Sequence, residues 1–347
     1  MSIRVRDAFS LRAGTAFGIA VGVLVLFVLV VGWEDVLAAT TQAQLSIYLA
    51  VFLASGWCLV ARAYVWHQLL GIVDERRPYW LVGSVFLTGM FAKYVVPYGQ
   101  VTSGVGMAAV VSRYYESAYE ESLAAILSAD FLNYIPYYTF GAIGLGYLFV
   151  FDLIPSSATN SYQFVLIGVV GLVFVILTLW HVRARIAMRC LRVIPTLQSL
   201  IGRLSPRIAR RITKENVLER FQGFSITLGL LSKNRSAMLI AAVYAHMAWL
   251  GLAGALYLSA LAVGMQLPIG IVFASVALSK IGFVVPTPGG VGGVEIALAS
   301  VLFLLTPMGT AMATAVAILY RFGTYWFTIL VGGLSSIALT LKDPLPP

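Results

Sequence analysis

The 347 residues are 60% hydrophobic and 11% charged, with a mean hydropathy of +0.91; this excludes an ordinary soluble domain and fits a chain of bilayer-spanning helices. The net charge of +9 would suggest nucleic acid in a soluble protein, but here the basic residues gather between apolar runs and argue against it. Cys58 and Cys190 are single and distant from one another, so neither a disulfide nor a metal site is expected.

From the N-terminus, Arg4, Arg6 and Arg12 precede an apolar run from Ala13 to Trp33. At about 20 residues it is too long for a signal peptide and reads as a retained span. Runs of spanning length follow at 45–70, 122–150, 163–182, 236–263 and 310–340, giving six full crossings with 13–32. Two further apolar stretches, 79–112 and 269–305, are broken near their middles by Pro97-Tyr98-Gly99-Gln100 and by Pro286-Thr287-Pro288-Gly289-Gly290-Val291-Gly292-Gly293. A continuous helix passes through neither.

Twelve of the 23 Lys and Arg residues fall between Arg183 and Arg235, which makes that loop cytoplasmic. With a cytoplasmic N-terminus this holds only if 79–112 enters and leaves the bilayer on one side, as a re-entrant hairpin. The external loops near 33–44, 151–162, 264–268 and 306–309 then carry no basic residue, only Glu34, Asp35 and Asp152. The expected fold is an all-α polytopic membrane protein of the cell membrane, a single transmembrane domain over 1–347 with both termini cytoplasmic.

The broken segments resemble each other. Tyr94-Val95-Val96-Pro97 matches Phe283-Val284-Val285-Pro286 at an offset of 189 residues, and Tyr134 aligns with Tyr325 at 191. Asp130 and Arg321 lie 33 and 35 residues beyond their respective prolines. The pattern predicts two repeat halves, about 45–150 and 236–341 around the basic loop 183–235, inverted in the membrane as in many secondary transporters.

Ionisable groups at bilayer depth cost a few kcal/mol each and mark partners, wet cavities or function. Arg62, Lys93, Lys280 and Arg321 are the candidate cations for an anionic head group, and Asp130 and Glu295 the groups for charge balance or coupling. The glycines after Pro286 expose backbone N–H groups at the start of a second half-helix, a geometry suited to phosphate or carboxylate. Glu295 is a candidate partner for Lys280 or a proton carrier, and Asp130 and Arg321 are candidates to meet across the repeat axis. No catalytic residue, cofactor or metal is assigned. The plain roles are an Arg62 that snorkels to the interface, a structural Asp130–Arg321 pair, and a basic loop that only sets topology.

Pro286-Thr287-Pro288-Gly289-Gly290-Val291-Gly292-Gly293-Val294-Glu295, followed by Tyr320-Arg321 and Tyr325-Trp326, resembles the second signature of the lysylphosphatidylglycerol synthase transmembrane-region family, also called flippase-like domain proteins. Arg62-Ala63-Tyr64-Val65-Trp66-His67-Gln68-Leu69-Leu70 resembles its Arg- and Trp-containing second span, and Pro97-Tyr98-Gly99-Gln100 its first Pro-Gly motif. The resemblance covers nearly the whole chain and implies translocation of a phospholipid or polyprenyl-phosphate lipid between leaflets. One departure is Thr102-Ser103-Gly104-Val105-Gly106, where family members commonly carry an acid. The soluble aminoacyl-transferase domain of full synthases is not among these residues, so lysyl-lipid synthesis by this chain alone is not expected. The leading reading is a non-enzymatic lipid translocase. Its rivals are a membrane accessory subunit that recruits a lipid-modifying enzyme, or an enzyme of lipid modification or lipid-linked glycosylation.

Overall fold

A computed structural model describes residues 32–74, 76–95, 118–151, 214–285 and 287–342, with isolated helical positions between 22 and 29 and between 104 and 112. The expected span at 163–182, most of that at 13–32, the basic loop up to residue 213, and Pro97, Gly99, Gln100 and Pro286 lie outside the described residues. By contacts the chain divides into two compact units, Met1–Leu153 with Leu230–Pro347, and Ile154–Gly229. The first unit carries both legs of the second broken segment.

Among the described residues every regular element is helical. In chain order they are α1 (Trp33–Thr41), α2 (Leu45–Val73), α3 (Tyr79–Val95), α4 (Tyr119–Val150), α5 (Lys214–Lys233), α6 (Arg235–Ala262), α7 (Ile269–Ser279), α8 (Gly293–Leu305), α9 (Thr310–Arg321) and α10 (Phe327–Lys342). Four stretches are long and apolar enough to cross a membrane: Leu45–Val73, Arg235–Ala262, Pro288–Leu305 and Thr310–Leu341. The chain is a multi-pass membrane protein. Three of these are expected crossings; the fourth belongs to the second broken segment. The 122–150 run is a single helix of 32 residues, but Asp130, Asn133 and its tyrosines leave it outside the four.

The second broken segment shows how the sequence makes its break. After α7 the chain tightens into a 3₁₀ turn over Lys280–Val284, and a second over Pro288–Gly290 leads to α8. Gly289, Gly290 and Gly292 have φ of 58°, 66° and 85°, values that cost any residue with a Cβ. The backbones of Gly282 and Gly293 touch so closely that neither has room for a Cβ, so the chain doubles back on itself. With 11 and 13 residues, α7 and α8 are only about 16 and 20 Å long, each short of a hydrocarbon core about 30 Å thick.

Small residues set the helix crossings, as expected where apolar burial gives no net drive between helices. Along α6 the buried face is Ala237, Ala241, Ala245, Ala248, Gly251, Ala255, Ser259 and Ala262, and Gly251 lies against the Ala54 carbonyl of α2. Leu45, Leu49, Leu53, Trp57 and Val60 of α2 are exposed, an apolar stripe suited to lipid. Two further crossings mirror each other. Gly144 of α4 abuts the Ala274 backbone of α7, while Gly332 of α10 abuts the Leu87 carbonyl of α3. The two glycines are 188 residues apart and their partners 187. The long helix α4 thus lies on α7, and α10 lies on α3.

These crossings predict opposite outcomes for two glycines one half-turn apart. Gly144→Ala puts a methyl group into the Ala274 backbone and costs about 1–3 kcal/mol. Gly146→Ala meets nothing within 4 Å and is neutral or stabilising by up to about 1 kcal/mol. Thermal unfolding of the detergent-solubilised variants, followed by size exclusion, reads both.

Candidate functional site

Polar side chains placed at helical spacing inside apolar helices converge on one cavity of about 290 Å³, near the lower end of the roughly 300–1,000 Å³ usual for small-molecule sites. From α2 come Ser55, Cys58, Leu59 and Arg62; from α4, Asn133, Tyr134, Tyr137 and Tyr138. Lys93 and Tyr94 reach it from the end of α3, Trp249 and Leu252 from α6, Lys280 and Phe283 from the second break. Beyond the break, Val294 of α8 joins Tyr320 and Arg321 of α9, and Thr324, Tyr325 and Thr328 complete the wall. Steps of three and four residues keep each set on one helix face. All four candidate cations therefore share the cavity, and no carboxylate is among its described lining residues.

The two acids stand behind that lining, in pairs that differ from those expected. Glu295 is 1% exposed and meets Arg321, not Lys280: the Arg321 Nε–H donates to its Oε1 at 2.8 Å. Its Oε2 accepts the Gly292 N–H at 2.8 Å, and Arg321 Nη2 donates to the Gly289 carbonyl at 2.8 Å. Asp130 meets Lys93, not Arg321, at 3.9 Å and accepts the Trp66 indole N–H at 3.2 Å. The pairs fall this way because α9 ends beside the glycine-rich turn, whereas α4 packs against α2 and brings Asp130 to Trp66.

The glycine motif has a structural part here. At the N-terminus of α8 the Gly292 N–H is taken by the Glu295 carboxylate. Gly289 lets the Tyr325 ring close on the turn, where a Cβ would overlap the ring. The Tyr325 hydroxyl lies 3.3 Å from the carbonyls of both Pro288 and Tyr94, so it touches both broken segments, and its ring supports the Arg321 guanidinium at 4.3 Å. Tyr325 and Thr324 sit in a π-helical turn, Phe322–Trp326, that widens the helix just after Arg321; such turns gather at functional sites.

Lys280 and Arg62 differ from the paired cations. Lys280 lies over two rings, Trp249 at 5.7 Å and Phe283 at 5.4 Å, and Arg62 stands 6.0 Å from the Phe86 ring. Neither has a carboxylate within ion-pair distance among the described residues. Arg62 Nε, Ser55 Oγ and both polar atoms of the Asn133 side chain are buried without a hydrogen-bond partner among those residues. All three residues line the cavity, and buried donors left unmatched at one place are what a polar ligand would satisfy.

Sequence reasoning found the charges, singled out Tyr134, Tyr320 and Tyr325 through the repeat and the signature, and missed Ser55, Asn133, Trp249, Tyr137 and Tyr138. The available signal was spacing: 55, 58, 59 and 62, and 130, 133, 134, 137 and 138, each trace one helix face.

Residues 15–332 match the family described as Lysylphosphatidylglycerol synthase TM region. A search among curated proteins finds no match.

The Glu295–Arg321 pair predicts a non-additive double mutant. Glu295→Ala and Arg321→Ala each leave a buried charge without its partner and cost about 3–5 kcal/mol. The double variant costs less than their sum, with a coupling of about 0.5–3 kcal/mol in a thermal-unfolding cycle.

Proposed function

The chain belongs to the lysylphosphatidylglycerol synthase TM region family, and from that premise we propose that it is a non-enzymatic translocase that carries a lipid with an anionic head group between leaflets. The membership and the spanning helices make it a membrane protein related to lipid handling. The observation that carries the finer reading is the shared cavity of Arg62, Lys93, Lys280 and Arg321, with no carboxylate among its described lining residues. Cations are expensive in a bilayer, and four on one wall fit a site that an anion completes.

Movement is supported by the reciprocal packing of the two halves. The paired contacts of Gly144 with Ala274 and Gly332 with Leu87, and the antiparallel legs around the second break, fit an inverted repeat whose re-entrant hairpins meet at a midplane site. In this reading Glu295 and Asp130 hold Arg321 and Lys93 in place, and the two halves rock around the cavity to open it to each face. In this reading the basic loop and both termini face the cytoplasm, and the host is the cell membrane.

Reconstituted protein should accelerate leaflet exchange of a fluorescent anionic phospholipid in liposomes. Lys280→Ala should slow it about tenfold or more, the loss of one hydrogen bond to a charged group, while eluting as wild type by size exclusion. Wild-type exchange equal to empty liposomes across anionic phospholipids and polyprenyl phosphates would instead support the accessory reading, and a lipid-modifying enzyme retained in native pulldown would identify the partner.

A further inference from the structure

We infer that the cavity selects a head group bearing two negative charges, a terminal phosphomonoester or diphosphate on a lipid, over the singly charged phosphodiester of common anionic phospholipids. The inference rests on the translocase reading and deepens it to a substrate class.

Charge balance within one cavity is the ground for it. Arg321 is matched by Glu295 and Lys93 by Asp130. Arg62 and Lys280 line the same cavity with no carboxylate in ion-pair range among the described residues. Arg62 and Lys280 thus have no ion pair of their own among the described residues, and ring faces only partly replace the water Lys280 gives up. A phosphodiester supplies one charge and leaves one cation unmatched; a phosphomonoester carries about −1.5 to −2 at neutral pH and has three terminal oxygens. Arg62 Nε, Ser55 Oγ and the Asn133 amide, buried without a partner among the described residues, belong to residues that line the same cavity.

The residue types fit a phosphate terminus as well. An Arg fork binds two oxygens of one phosphorus, whereas Lys is a compact point charge that serves any oxygen. A buried Asn offers N–H donors to an anionic phosphate oxygen.

The test compares short-chain phosphatidic acid and phosphatidylglycerol with identical acyl chains, binding purified wild-type protein in neutral detergent at pH 7.5. Thermal shift or native mass spectrometry reads affinity, with phosphatidylcholine and inorganic phosphate as further arms. The expected result is phosphatidic acid binding about ten- to a hundredfold tighter than phosphatidylglycerol, the worth of one further hydrogen bond between charged groups. Lys280→Gln should shrink that ratio toward one chiefly by weakening phosphatidic acid, and Lys280→Arg should keep it. Equal affinities for the two anionic lipids in wild type would overturn the selectivity and leave the translocase reading standing. Affinity for neither above phosphatidylcholine would overturn both. Inorganic phosphate binding as tightly as phosphatidic acid would show a site for a soluble anion and overturn the lipid assignment.

Discussion

The Glu295 carboxylate, 1% exposed, fixes the second broken segment with both of its oxygens. One accepts the backbone N–H of Gly292 where α8 begins, and the other holds the guanidinium of Arg321 at the end of α9. A buried carboxylate is costly unless its charge is matched and its lone pairs are occupied; here both conditions are met by groups 3 and 26 residues away in sequence. The bond from Arg321 to the Gly289 carbonyl closes the loop, so the turn and the π-helical segment are locked as one piece. Without that lock the left-handed glycines would have no reason to hold a single conformation.

The cavity depends on this. Arg321 can face it because Glu295 stands behind, and Lys93 can face it because Asp130 does. Each half-built charge pair keeps a cation at the wall while moving the acid out of contact with whatever enters. Arg62 and Lys280 lack such a counterpart among the described residues, and the buried unmatched atoms of Ser55 and Asn133 lie on the same wall. In the proposed reading a ligand restores that balance.

Much of this was legible in the chain. The break at Pro286–Gly293, the duplicated Val-Val-Pro, the set of membrane charges and the family follow from residue type and spacing, because prolines and glycines act locally and charges are rare in apolar spans. The pairings were not legible: Glu295 was expected to meet Lys280 or carry a proton and Arg321 to meet Asp130, and only the three-dimensional approach of α9 to the glycine turn brings Arg321 to Glu295. The role of the glycines shifted for the same reason, since an N–H already satisfied by a side chain cannot be recognised from sequence. Asn133 and Ser55 were hidden because single neutral polar residues are common in membrane helices and gain meaning only when several share a cavity.

Occupancy of the four-cation cavity by a lipid phosphate is tested most directly by an experimental structure of the protein in nanodiscs containing anionic lipid. A phosphate is expected within hydrogen-bond distance of Arg62 and Lys280, with acyl chains leaving toward the bilayer between helices. A cavity filled by acyl chains, with lipid phosphates found only at the membrane interfaces, would contradict it.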